Sequence, residues 1–230
     1  MGVTLGIECS QRQSSVAVRG SDGVVRSAIL ESASGIDDQL LIQIDSLIRA
    51  VGAGPQDLSL VGASLGPGGF TGLRISLATA KMLAKTCRCD LVGVPTAAVA
   101  VHTWRAKAQA HADVVVGVAL ATKRSETWLA IAGGGNVVQQ GQLVDEDGLG
   151  HHLQASKATI LLADDTFPEV LRQVAHCAGA TVQLLECSSS ACLELAEAQW
   201  RNGHTVAPEA LVPLYPREPE AVRVFQGPKS

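Results

Sequence analysis

Gly66-Pro67-Gly68-Gly69-Phe70-Thr71-Gly72-Leu73-Arg74-Ile75-Ser76-Leu77-Ala78-Thr79-Ala80-Lys81 is the stretch from which the fold of this chain is read. The apolar run Leu60 to Leu65 leads into it as a strand, and residues from Leu73 to about Thr86 follow with helical spacing. A glycine-rich turn therefore joins a strand to a helix. Such a junction has two physical uses. It lets the helix pack close against the sheet, or it aims backbone N–H groups at the helix start toward an anion. Local chemistry leaves both open, with Gly66, Gly68, Gly69 and Thr71 as the residues of a degenerate anion site. The segment is not a P-loop, because Gly72 is followed by Leu73 rather than Lys. Nor does it fit the dinucleotide spacing, because position 71 is Thr.

Working outward, Val3 to Glu8, Ser15 to Arg19 and Val24 to Leu30 read as three short strands, the last two joined by the turn Ser21-Asp22-Gly23. A helix is predicted from about Asp37 to Val51. Leu40, Leu41, Ile44, Leu47, Ile48 and Val51 form its apolar stripe, with Ile42 outside it. Asp37 and Asp38 suit the positive end of its dipole, and Gly52 and Gly54-Pro55 end it. Leu91 to Val94 is a buried strand, and Pro95 opens a helix to about Gln109. The pattern then restarts. Val114 to Leu120, Thr127 to Ala132 and Val137 to Val144 are strands, with Gly133-Gly134-Gly135-Asn136 as a turn. Strands Thr159 to Ala163 and Val182 to Leu185 flank a helix from Pro168 to Ala178, and a last helix runs from Ser190 to Asn202. Strands then helices, twice over, predict an α/β fold of two related lobes, residues 1–107 and a smaller 108–230.

Composition narrows the function. The chain has 230 residues, 47% hydrophobic and 17% charged, with aromatics at 3%, so its core is built from Ala, Val, Leu and Ile. Net charge is -4 and the 18 Lys and Arg are scattered, which argues against tight nucleic-acid binding by the isolated chain. No apolar run is long enough to span a bilayer, and the N-terminus lacks signal-peptide character, so a soluble, cytoplasmic protein is expected. The six cysteines fit neither a paired zinc site nor a disulfide framework and are expected to be reduced thiols. The histidines never take HxxxH or HExxH spacing, and there is no GxSxG nucleophile elbow. Asp145-Glu146-Asp147 and Asp164-Asp165 read as solvated turns. No metal site and no cofactor are expected.

Two segments carry resemblances. Glu8-Cys9-Ser10, followed by Ser14 to Val18, resembles the first phosphate loop of actin-like ATPases, where an acid at the end of the first strand meets metal-bound phosphate. Residues 66–81 resemble, nearly letter for letter, the GPGSFTGLRIGLATAK signature of the TsaB (YeaZ) family. Leu5 to Val18, Gln39 to Val51 and Leu91 to Pro95 match in order, and Leu120 to Ala130 and Val212 to Arg217 match loosely. The resemblance implies an actin-like ATPase (ASKHA) fold with two ribonuclease-H-like lobes. It also implies a non-catalytic role beside TsaD, the catalytic paralogue, and TsaE, an ATPase. Together these transfer threonylcarbamoyl to N6 of adenosine 37 in tRNAs decoding codons that begin with A. tRNA would be met only through the complex, and a homodimer is possible for the free chain.

Departures from the family pattern matter as much. Glu8 stands where many relatives have Asp, Cys9 where they have Thr, and Ala121 where Asp is usual, whereas Arg124 and Glu126 are retained. The paralogue continues G-V-N-H-x-x-G-H, whose histidines bind metal; aligned on Gly93-Val94, those positions are Thr96 and Ala100. In the family the first two helices pack against the paralogue's equivalents. The resemblance thus implies a partner interface of Leu40, Ile42, Ile44 and Leu47 on one helix and Leu73, Leu77 and Ala80 on the other. The alternative is an autonomous actin-like kinase for a small molecule, holding ATP with residues 8–10 and 66–72.

Overall fold

β1 (Val3–Glu8), β2 (Ser14–Arg19) and β3 (Val25–Leu30) form an antiparallel meander. β1 and β2 are covered on both faces, and of the two only β1 reads as an apolar run in the sequence. The structure, a computed structural model, describes residues 2–30, 36–111, 113–123, 125–133 and 141–216. α1 (Ile36–Ala50) follows the meander, and β4 (Leu58–Ser64) returns parallel to β1. After α2 (Phe70–Cys87), β5 (Asp90–Val94) adds parallel to β4, giving the order β3-β2-β1-β4-β5. α3 (Thr96–Ala108) leads into the second half.

That half repeats the plan. β6 (Val116–Lys123), β7 (Glu126–Ala132) and β8 (Gln142–Val144) are an antiparallel meander. α4 (Glu146–Ser156) precedes β9 (Ile160–Ala163), which runs parallel to β6. α5 (Glu169–Cys177) precedes β10 (Thr181–Leu184), parallel to β9, and α6 (Ser189–Arg201) closes the series. The order β10-β9-β6-β7-β8 has the same logic as the first sheet. Asp145-Glu146-Asp147, expected as a solvated turn, instead caps and opens α4, a helix not expected from the sequence. Asp145 caps the helix, its Oδ1 accepting from the Gly148 N–H at 2.9 Å, and Leu149 and Leu153 are buried one turn apart. Gly148 and Gly150, poor helix formers, mask that signal. The expected turn at 134–136 and the first residues of the strand expected from Val137 lie outside the described residues.

Packing couples the halves. α1 and α2 cover one face of the first sheet, where Leu40, Ile44, Ile48, Leu77 and Ala80 meet Leu5, Ile7, Val16 and Val61. α4 and α5 cover the second sheet with Leu149, Leu153, Leu171 and Ala175. The last helix of each half crosses over: α3 packs on β6 and β7, and α6 packs on β1, β2, β4 and β5. α6 can approach that closely because position 62 is Gly; a Cβ there would stand 2.4 Å from that of Ala196. The division at 107/108 in sequence therefore runs through shared packing. Among the described residues, no helix is long and apolar enough to cross a membrane.

Candidate functional site

At the carboxyl end of the first sheet, three segments from both halves meet around a cleft of about 520 Å³: Cys9–Arg12 after β1, Gly69–Gly72 at the start of α2, and Asp164–Thr166 after β9. The glycine-rich turn is clamped from two sides. The Gly66 N–H donates to Thr96 Oγ1 and the Thr96 N–H to the Gly66 carbonyl, both at 3.1 Å, while the Gly69 N–H donates to the Ser10 carbonyl at 2.8 Å. Gly68 passes so close to Ser10 that a Cβ on it would lie 2.0 Å from the Ser10 oxygen. The close-packing use of the turn is the one realised there. Of the four residues singled out as an anion site, Gly69 and Thr71 line the cleft. Gly66 does not: it is buried, and Thr96 already takes its N–H. Gly68 lies against Ser10, outside the lining.

Glu8 ends β1 fully buried. Its Oε1 accepts from the Ser10 N–H at 2.7 Å and from the Ser10 hydroxyl, and its Oε2 is buried without a hydrogen-bond partner. Burial pushes this carboxyl above its ordinary value, against the pull of the Ser10 hydrogen bonds. The neighbouring Cys9 thiol is pushed up to about 12 by burial and by the Glu8 charge. The acid that would face a metal-bound phosphate is thus folded back onto Ser10. The rim of the cleft carries Asp164, whose Oδ1 accepts from the Thr166 N–H and hydroxyl, and Asp165, 3.8 Å from Arg12. With Glu8 turned inward onto Ser10 and the Gly69 N–H already donated to the Ser10 carbonyl, neither group is directed at a phosphate or its metal. Arg124 lies outside the described residues. Ala121 takes a positive φ of 50° at the irregularity in β6, and Glu126 pairs across from Lys123.

Sequence reasoning missed a cluster at the cleft mouth. The Arg74 guanidinium sits 3.7 Å over the Phe70 ring, and its Nε donates to the Tyr215 hydroxyl at 3.0 Å. The Tyr215 segment is held there by the Leu214 N–H on the Leu65 carbonyl. The loose match at Val212 to Arg217 was the only pointer to it, and Arg217 lies outside the described residues.

The expected interface residues divide. Leu40, Ile44, Leu73, Leu77 and Ala80 are buried in this chain's own core, a correction to their reading as partner-facing. Helical periodicity marks an apolar stripe, and the sheet beneath α1 and α2 claims it. Leu47 is half-buried against the same core. Ile42 is 66% exposed, and Leu41, Phe70 and Met82 are also exposed large apolar side chains on these two helices. Thr96 and Ala100, the two residues expected from the resemblance to replace metal-binding histidines, are both fully buried.

The family model described as TsaD, tRNA N6-adenosine threonylcarbamoyltransferase, matches residues 33–188. No curated protein sequence matches the chain. Among solved structures, YeaZ from Pseudomonas aeruginosa superimposes with a TM-score of 0.75 at 17% identity, covering 94% of this chain and 100% of that one. A second structure, titled as an uncharacterized protein with similarity to peptidase YEAZ from Pseudomonas aeruginosa, gives 0.77 at 18% identity with the same coverage. The ROK hexokinase from Thermus thermophilus gives 0.51 at 10% identity, over 86% of this chain and 99% of that one. These likenesses establish the two-lobed actin-like ATPase fold.

Proposed function

The chain belongs to the TsaD family, and from that premise we propose that it takes part in forming N6-threonylcarbamoyladenosine on tRNA as a non-catalytic subunit that binds and supports a catalytic TsaD-type paralogue. One observation carries the reading. The positions that hold the paralogue's metal are structural here: Thr96 locks the glycine-rich turn through Gly66, and Ala100 is fully buried against the second sheet. The likeness in fold to YeaZ supports the same assignment. TsaE is the third component, and tRNA is reached through the complex, in keeping with a chain of net charge -4. The exposed side chains of α1 and α2, Ile42 foremost, are the surface offered to the paralogue, and a free homodimer would use the same face. The setting is the cytoplasm. The autonomous-kinase reading needs an acid facing the phosphate, and Glu8 faces inward.

Reconstitution tests this. Purified chain, a TsaD-type subunit, TsaE, threonylcarbamoyl-adenylate, ATP and tRNA are combined with each component omitted in turn. Modification is expected to fall when the chain is left out, and the chain alone should neither modify tRNA nor turn over ATP. Unchanged modification without it, or ATP-dependent phosphorylation of a small acceptor by the chain alone, would overturn the proposal.

A further inference from the structure

A second hollow lies at the other end of the first sheet, away from the cleft. It measures about 490 Å³, within the range of small-molecule sites. The β2–β3 turn from Gly20 to Gly23, the start of β1 at Thr4, and Glu197, Trp200 and Arg201 at the end of α6 enclose it.

Its polar groups are organised around one carboxylate. Glu197 has a side chain only 11% exposed, and its Oε1 accepts from the Thr4 hydroxyl and from Arg19 Nε at 2.9 Å. Arg19 is held further by donation from Nη1 to the Gly23 carbonyl at 3.0 Å. Glu197 Oε2 faces a second guanidinium, Arg201 Nη2, at 3.9 Å, too long for a hydrogen bond. One buried carboxylate thus stands between two guanidiniums, leaving a single positive charge unmatched among these three. Among the described residues, neighbouring acids do not supply the missing charge. Asp22 is paired with Arg26 at 2.9 Å, and Asp90, which is not part of the lining, accepts from the Trp200 indole N–H at 2.7 Å. That hydrogen bond fixes the indole in the wall of the hollow.

We propose that this hollow binds a small planar aromatic monoanion, its carboxylate bridging Arg19 and Arg201 and its ring lying against Trp200. A monoanion matches the one unmatched charge; a phosphate dianion would meet the buried Glu197 with an excess of negative charge. The planar body follows from the Trp200 indole in the lining together with Gly20 and Gly23, which present no side chain to it.

The test is a titration of the isotopically labelled full chain with benzoate, followed by the Trp200 indole N–H and the Gly20 and Ser21 amide resonances. These should move together and saturate. Benzamide, equal in shape but uncharged, should bind at least about tenfold more weakly. Arg201 is exposed, so Arg201→Gln folds normally and should weaken benzoate by about tenfold, the loss of one charge-assisted contact. Naphthoate and indole-3-carboxylate extend the series to fill the hollow. No movement with any of the three acids overturns the proposal, as does equal binding of benzamide or an unchanged affinity in Arg201→Gln. The site is independent of the role in tRNA modification and stands or falls separately.

Discussion

Replacing Gly68 by Ala places a methyl group 2.0 Å from the Ser10 carbonyl oxygen and 2.8 Å from its carbon, where contacts closer than 3.0 Å essentially do not occur. The obstacle is backbone, so no rotamer relieves it. One of the two segments must retreat by about 1 Å, an overpacking strain of about 1 to 3 kcal/mol. The retreat also breaks the hydrogen bond from the Gly69 N–H to Ser10, a further loss of about 1 kcal/mol. Gly68→Ala should therefore destabilise by about 2 to 4 kcal/mol, lowering Tm by about 4 to 16 °C for a chain of this size. Gly69→Ala is the matched control. Its φ is -61° and its added Cβ meets nothing closer than 3.8 Å, so its effect should stay within about 0.5 kcal/mol. Urea midpoints and thermal scans of both variants decide the matter. A Gly68→Ala protein as stable as the unaltered chain would show that the clamp between the turn and Ser10 yields freely, and the account of this junction would fail.

The partner surface gives a contrasting pair. Ile42→Glu should leave Tm within about 2 °C while weakening binding of a TsaD-type subunit by tenfold or more, since burying such a side chain is worth about 1.5 to 3 kcal/mol. Leu47→Glu, half-buried against the core, should instead unfold the chain at lower temperature; retained affinity in a folded Ile42→Glu would move the interface elsewhere. Glu8 makes a pH prediction. Its folded carboxyl is raised above the ordinary 4.5, so between those two values the native state holds more protons than the unfolded one. Its contribution to stability is present below about 4.5 and declines as pH rises toward the folded value. Glu8→Gln keeps an Oε1 acceptor for Ser10 and should flatten that decline; an identical slope in both proteins would mean that burial does not raise this carboxyl.

Legibility in the sequence followed physical range. The stripe Leu40, Ile44, Ile48 announced α1, because helical periodicity is local and the sheet beneath demands it. The same stripe misled about the interface, since periodicity reports that residues are apolar and not which neighbour covers them. Ile42, off the stripe, faces out, and so does Leu41, which the stripe had included. Glu8 was legible as an acid at a strand end, but its inward turn depends on Ser10 and on burial by elements far along the chain. The hollow beside Trp200 was not legible at all. Thr4 and Arg19 reach it from one end of the sequence and Glu197 from the other, 193 and 178 residues away.

The crossing of α6 onto the first sheet also sets an order of events during synthesis. The first sheet is complete in the nascent chain once Val94 has been made, yet the helix that covers Leu60, Val92 and Val94 begins only at Ser189. At roughly 5 to 20 residues per second, a ribosome needs on the order of 5 to 20 s to supply it. During that interval one apolar face of the half-made protein is open to the cell, bare of its own cover and within reach of chaperones or other nascent chains. A message truncated before Ser189 would leave that face open permanently, so the product should be recovered with chaperones or in inclusion bodies rather than as a free first lobe.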